Sequence, residues 1–204
     1  EATAKANLRH TLWRVRKALG PAGAALRADE VSLSFDATAE FWLDAGVIGA
    51  RLAPETARED LQKTVSAYEG ELLPGFYDDW VLLERERLQA AFESKMALLL
   101  EKLAAAERWD EVLEWGERWI ALGRVPEAAY RAVIAAHGAR GDASQAANVY
   151  RRCVDALQRE LGVAPSAATR AAYERALKAP AAPAETNAAS PLPALRGYEL
   201  RERI

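Results

Sequence analysis

Cysteine is nearly absent from this 204-residue chain: Cys153 stands alone, so no internal disulfide can form. With His10 and His137 as the only histidines, a Cys/His zinc site lacks ligands as well. No apolar run is long enough to cross a bilayer, and no signal-peptide pattern is present. The sequence does not start with Met and reads as a piece of a longer, cytoplasmic protein in a reducing setting. P-loop and Rossmann glycine patterns, the G-x-S-x-G elbow and the H-E-x-x-H helix are all missing. No catalytic residue, no metal and no cofactor is therefore expected, and no membrane partner.

What is plentiful is apolar surface. Half of the residues are hydrophobic, enough to build one ordinary core or two small ones. The net charge of -3 hides an asymmetry, because Lys5, Arg9, Arg14, Arg16 and Lys17 face only Glu1 within the first twenty residues. Any contact with nucleic acid belongs there.

Within residues 7–19 (NLRHTLWRVRKAL), Leu8, Leu12, Val15 and Leu19 fall on one helical stripe, with His10, Trp13, Arg14 and Lys17 opposite and Arg9 and Arg16 on the flanks. Gly20-Pro21 stops that helix. A short hairpin is expected over 26–35, where a polar turn around Asp29 precedes Val31, Leu33 and Phe35 in half-buried alternation. From Thr38 onward everything reads helical. Phe41, Ala45, Ile48 and Leu52 keep one stripe; Leu61, Val65, Tyr68 and Leu72 the next; Val81, Leu88, Phe92, Met96, Leu99 and Leu103 a long one. Arg85 interrupts the last, and is expected to bury its stem while its head reaches water.

Further stripes end at Gly123, Gly141 and Gly162, and a final helix is expected from about Pro165-Ser166 to Lys178. A shift of 34 residues lays Met96 on Tyr130, Leu99 on Val133, Leu100 on Ile134, Ala104 on Gly138, Val112 on Ala146, Trp115 on Val149 and Trp119 on Cys153. That period is the tetratricopeptide (TPR) signature of stacked helix pairs. Pro126 and Pro165 are 39 apart, so the second unit carries about one extra helical turn. The expected fold is mainly α: a right-handed stack of antiparallel helix pairs with a small N-terminal helix and hairpin. Residues 179–194 are an Ala/Pro-rich linker, and 195–204 (LRGYELRERI) carry strand-like alternation.

The stretch at 69–89 (EGELLPGFYDDWVLLERERLQ) concentrates a Pro74-Gly75 turn, Asp78, Asp79 and Trp80 ahead of an amphipathic run. Acid-base work or cation binding needs further groups converging on one point, and none is near in sequence. The carboxylates instead suit the cap and positive dipole end of a helix, with Leu72, Leu73, Phe76 and Trp80 clamping the turn onto the preceding helix. His137 reads as a hydrogen-bonded core histidine and Cys153 as a small hydrophobe.

A basic helix followed by a spacer and a hairpin is the order of recognition helix and wing in a winged helix-turn-helix. There, His10, Trp13, Arg14 and Lys17 would face the major groove, while Arg9, Arg16 and Arg27 would touch phosphates. The motifs NLRHTLWRVRKALG (7–20), YEGELLPGFYDDWVLLERERL (68–88) and RRCVDALQRELGVAPSAATR (151–170) resemble the bacterial transcriptional activator domain, the TPR-like module of antibiotic-regulatory-protein-type (SARP) activators. The resemblance implies a winged-helix remnant over 1–36 and the helical activator domain over 37–178; after the linker, LRGYELRERI (195–204) separately resembles the opening strand of a protein-kinase-like domain. The activator-domain resemblance also implies dimerisation or contact with the transcription machinery through the helices, and DNA binding through the intact winged helix of the parent. The alternative is a TPR-type interaction scaffold in a multidomain signalling protein without DNA recognition.

Overall fold

The computed structural model of the chain describes residues 2–29, 32–53 and 55–179. Apart from Ala179, the expected linker and the strand-like segment at 195–204 lie outside the described residues, as does Val31 of the expected strand. Two compact units emerge, Glu1–Gly46 and Val47 onward.

In the first unit, α1 (Ala2–Leu19) runs to the Gly20-Pro21 stop and passes into a 3-10 turn at Gly20–Ala25. Gly23 is buried there because its backbone lies on α1; a Cβ would stand 2.6 Å from the Arg16 carbonyl oxygen. Strands β1 (Leu26–Ala28) and β2 (Leu33–Phe35) pair antiparallel, with Leu26 opposite Phe35. The Asp29 carboxylate closes the turn by accepting from the Ser32 N–H and hydroxyl, each at 2.7 Å. Leu33 and Phe35 are exposed rather than half-buried, since a two-stranded ribbon buries little by itself; Phe35 meets only the Phe41 ring edge-on, at 4.8 Å, among the ring contacts of the described residues.

The helix expected from Thr38 shrinks to six residues, α2 (Asp44–Gly49). At the expected start the chain forms a turn instead: the Asp36 carboxylate takes the Thr38 N–H at 3.0 Å and hydroxyl at 2.7 Å, local bonds that compete with helical pairing there. Phe41, Trp42 and Leu43 consequently lie exposed, while Ile48 remains buried.

The second unit is built from α3 (Arg58–Ser66), α4 (Asp79–Ala105), α5 (Trp109–Ala121), α6 (Glu127–Ala139), α7 (Ala143–Leu161) and α8 (Ala167–Lys178). Each of α3 to α6 packs on its successor, and α6 packs on both α7 and α8. Every member of the long α4 stripe is buried: Val81, Leu88, Phe92, Met96, Leu99 and Leu103. Tyr68 and Leu72, placed on the preceding stripe by spacing, lie beyond the end of α3. Tyr68 nevertheless reaches α4, its ring stacked on Phe92 at 4.3 Å between centroids, and Phe92 meets Trp119 of α5 edge-on.

The 34-residue period is visible as geometry. The first helices of the two pairs end at Ala105 and Ala139, and the second begin at Trp109 and Ala143. The extra turn falls at the end of α7, which runs on to Leu161 and closes on Gly162 in the left-handed conformation, φ 68°. A core of Tyr130, Val133, Ile134, Val149, Cys153, Leu157, Ala172 and Ala176 ties α6, α7 and α8 together. At the α6–α8 crossing only glycine fits, because a Cβ on Gly138 would lie 2.7 Å from the Ala176 Cα. The architecture is a mainly α, TPR-like stack with one small hairpin.

Candidate functional site

Two surfaces stand out, one in each unit. On α1, Arg9, His10, Trp13, Arg14 and Lys17 are all exposed. The Trp13 indole organises this face, with His10 stacked at 6.1 Å and the Lys17 ammonium 4.9 Å from the ring centroid. Arg16 is set apart from them. Its Nε donates to the Leu26 carbonyl at 3.2 Å and its Nη2 to the same oxygen, so the guanidinium fastens the start of the hairpin to the helix. Arg27 is likewise engaged, paired with Asp36 across the hairpin. The opposite stripe of Leu8, Val15 and Leu19 is open to solvent within this unit, and Leu12 is half-buried.

The second surface is the turn between α3 and α4, and here three expectations need correction. Asp78 is the N-cap residue and Asp79 the first helical residue, yet no side chain caps the helix. The Asp78 backbone carbonyl takes the Val81 and Leu82 N–H groups, and Asp79 contributes only its charge in the first turn. Phe76 and Trp80 do not clamp the turn either, being 55% and 60% exposed. Arg85 is the residue that holds it, and its head does not reach water. Only 8% exposed, it donates from Nε to the Leu72 carbonyl at 2.7 Å and from Nη2 to the Leu73 carbonyl, while Nη1 pairs with Glu71 at 2.7 Å.

The reason lies in the backbone. Leu73 and Gly75 flank Pro74 with φ of 47° and 88°, so the chain reverses without regular pairing and leaves two carbonyls facing α4. A guanidinium with five donors satisfies both and retains one edge for a carboxylate. The sequence signal was present: an arginine on the buried stripe between Val81 and Leu88. With the turn fixed from inside, Leu73, Phe76, Tyr77, Trp80, Leu82 and Leu83 are each exposed in this stretch. Glu69, Glu71, Asp78, Asp79 and Glu86 are exposed in the same stretch.

The remaining chemistry-bearing groups are isolated. His137 is half-buried, its imidazole makes no hydrogen bond among the described residues, and burial lowers its pKa. The expected hydrogen bond is therefore not formed among the described residues, and the histidine, in the last turn of α6, is only half-buried. Cys153 is fully buried and free, with its thiol pushed up to about 11 by burial. Among the described residues no group of three or more His, Cys, Asp or Glu side chains is placed to hold a metal ion. No described helix is long and apolar enough to cross a membrane.

Stacked helix pairs of this kind define a TPR-like helical-repeat fold. The family model of the bacterial transcriptional activator domain matches residues 45–177, and the chain belongs to that family. Neither the curated proteins nor the solved structures gave a match. The matched span begins at α2 and ends within α8, so it takes in the whole helical stack.

Proposed function

We propose that the chain works in the cytoplasm as the regulatory part of a bacterial transcriptional activator. Its helical stack receives a protein partner, and α1 with the hairpin is the end that meets DNA in the intact parent. The observation that carries this reading is the family match over 45–177 together with the open surface of Phe76, Tyr77, Trp80 and Leu83. So many exposed aromatic and aliphatic side chains within a short stretch cost solubility and are characteristic of protein contact sites.

Its surroundings select the partner chemistry. Four exposed carboxylates in the same stretch, Glu69, Asp78, Asp79 and Glu86, without an ion pair among the described residues, repel a nucleic-acid backbone and favour an apolar segment bearing Lys or Arg on the transcription machinery. The part played by the chain is regulatory and not catalytic. On α1, Arg9, His10, Trp13, Arg14 and Lys17 supply the DNA-facing groups, and Arg16 supports the hairpin. The expected DNA affinity of this chain alone is weak and falls steeply with salt.

The test is binding of the chain to purified bacterial RNA polymerase, followed by light scattering and by fluorescence anisotropy. Trp80→Ala with Leu83→Ala is expected to abolish the complex while leaving the melting temperature within a few degrees of the original. Undiminished binding by that double variant overturns the proposed contact surface, as does a stable dimer of the chain that buries it.

A further inference from the structure

Between α2 and the middle of α4, entirely within the second unit, lies an open hollow of about 330 Å³. Gly49, Ala50, Arg51 and Leu52 form one wall; Ala91, Ser94, Lys95 and Leu98 form the other. Lys95 is the unusual member. It is only 8% exposed, and its Nζ donates to the Ile48 carbonyl at 2.7 Å, near the C-terminal end of α2. That bond occupies one of three N–H donors.

A buried ammonium is ordinarily matched by a carboxylate. None pairs with Lys95 among the described residues, and the charge acting on it is a second cation, Arg87. Burial and that neighbour both lower its pKa. Arg87 lies against the same wall, since a Cβ on Gly49 would stand 2.8 Å from its Nη2, but Glu84 neutralises it through two bonds of 2.8 and 2.6 Å. Arg51 is exposed, with neither an ion pair nor a hydrogen bond among the described residues, and the Ser94 hydroxyl is equally free of protein partners there. The lining contains no acidic residue. Two unneutralised cations and a hydroxyl-bearing serine thus line one concave space.

We propose that this hollow is a binding site for a small organic phosphate. The Arg51 fork and the Lys95 ammonium hold the phosphoryl oxygens, and the Ser94 hydroxyl donates a further bond. A dianion answers two unpaired cations better than a monocarboxylate does. The volume exceeds what a bare phosphate fills and lies at the lower end of small-ligand sites. Since Lys95 already bonds the end of α2, a bound phosphate would lock that short helix onto α4. It would thereby act on the element within which the chain passes from one compact unit to the other.

The experiment is an amide-resolved NMR titration of the chain with inorganic phosphate and with glycerol 3-phosphate, at ionic strength matched with sodium chloride. Acetate and a short DNA duplex serve as comparison probes. The expected result is saturable shifts confined to residues 49–52 and 91–98, tighter for glycerol 3-phosphate than for phosphate. Arg51→Ala, a change at an exposed side chain, is expected to weaken binding about tenfold or more. Lys95→Met should remove it, and because that variant is at risk of unfolding, Arg51→Ala and Ser94→Ala are the deciding substitutions. No saturable shift with either phosphate, equal affinity for acetate, or an undiminished response in Arg51→Ala overturns the proposal. Stronger perturbation of the same amides by the duplex would assign the site to a nucleic-acid backbone and overturn it as well.

Discussion

Arg85 and Leu72 are joined across the α3–α4 turn by a 2.7 Å bond from a guanidinium nitrogen to a backbone carbonyl, and the long helix is anchored through it. The neighbouring ion pair to Glu71 is the weaker part of this arrangement, because Glu71 is 53% exposed and water screens it. Buried carbonyls left without a donor are costly by comparison.

Arg85→Ala is therefore expected to destabilise the chain by about 2–4 kcal/mol, through two orphaned carbonyls and a cavity in the α4 stripe. Glu71→Gln is expected to cost less than about 1 kcal/mol. Urea denaturation of the two variants separates these contributions. Equal losses would show that the ion pair, and not the carbonyl contacts, holds the turn.

Gly138→Ala tests the tight crossing of α6 and α8. The added methyl meets the Cα of Ala176 at 2.7 Å, a backbone atom that cannot swing aside. Overpacking of this kind is expected to cost about 1–3 kcal/mol, against the slight gain alanine gives in an open helix. Thermal melting reads the sign directly. A stabilised variant would mean that the helices slide apart freely at that point.

Helix caps divide the acidic residues into two kinds. Asp142 accepts the Gln145 N–H at 3.0 Å and the Ser144 hydroxyl at 2.8 Å, and the bond to Gln145 is the leading cause of its lowered pKa. Asp142→Ala is expected to cost about 1 kcal/mol at neutral pH. A carboxyl whose pKa is depressed by folding stabilises above its unfolded value, 3.8, and loses that contribution as pH falls through the folded value. The gap between Asp142→Ala and the original chain should therefore close in acid. Asp79→Ala, which removes a first-turn charge and no hydrogen bond, is expected to cost only a few tenths of a kcal/mol. Denaturation at two pH values checks both.

Cys153 is expected to resist thiol reagents at pH 8 in the folded chain, since burial both hides the sulfur and holds the thiol protonated, with a pKa of about 11. Its modification should follow global unfolding and accelerate with added urea. Labelling within seconds in native buffer would show local opening of α7.

The helical stack was legible because its signal is repetitive. Met96, Leu99 and Leu103 on α4, Tyr130, Val133 and Ile134 on α6, and Val149, Cys153 and Leu157 on α7 recur at helical spacing, and all are buried. Short elements were not legible in this way. A six-residue helix such as α2 carries too few residues for a period to show, and the Asp36–Thr38 bonds that form a turn where the helix was expected depend on backbone geometry. The candidate surfaces were legible only as composition: the basic character of α1 and the aromatic–acidic character of 69–89 were plain, but not which members are engaged inside the protein.

Amino-acid order by itself determined the helix pairs, their 34-residue repeat and the glycines that end them, because burying an apolar stripe is a local, periodic demand on the chain. Tertiary structure decided what becomes of the polar groups that interrupt those stripes. Arg16 is committed to the hairpin, Arg85 to two carbonyls and Lys95 to the end of α2, while Arg9, Arg14 and Arg51 remain available at the surface. A cation's role depends on which acceptors the fold brings within hydrogen-bonding distance, and those acceptors are mostly backbone carbonyls whose direction side-chain identity does not encode.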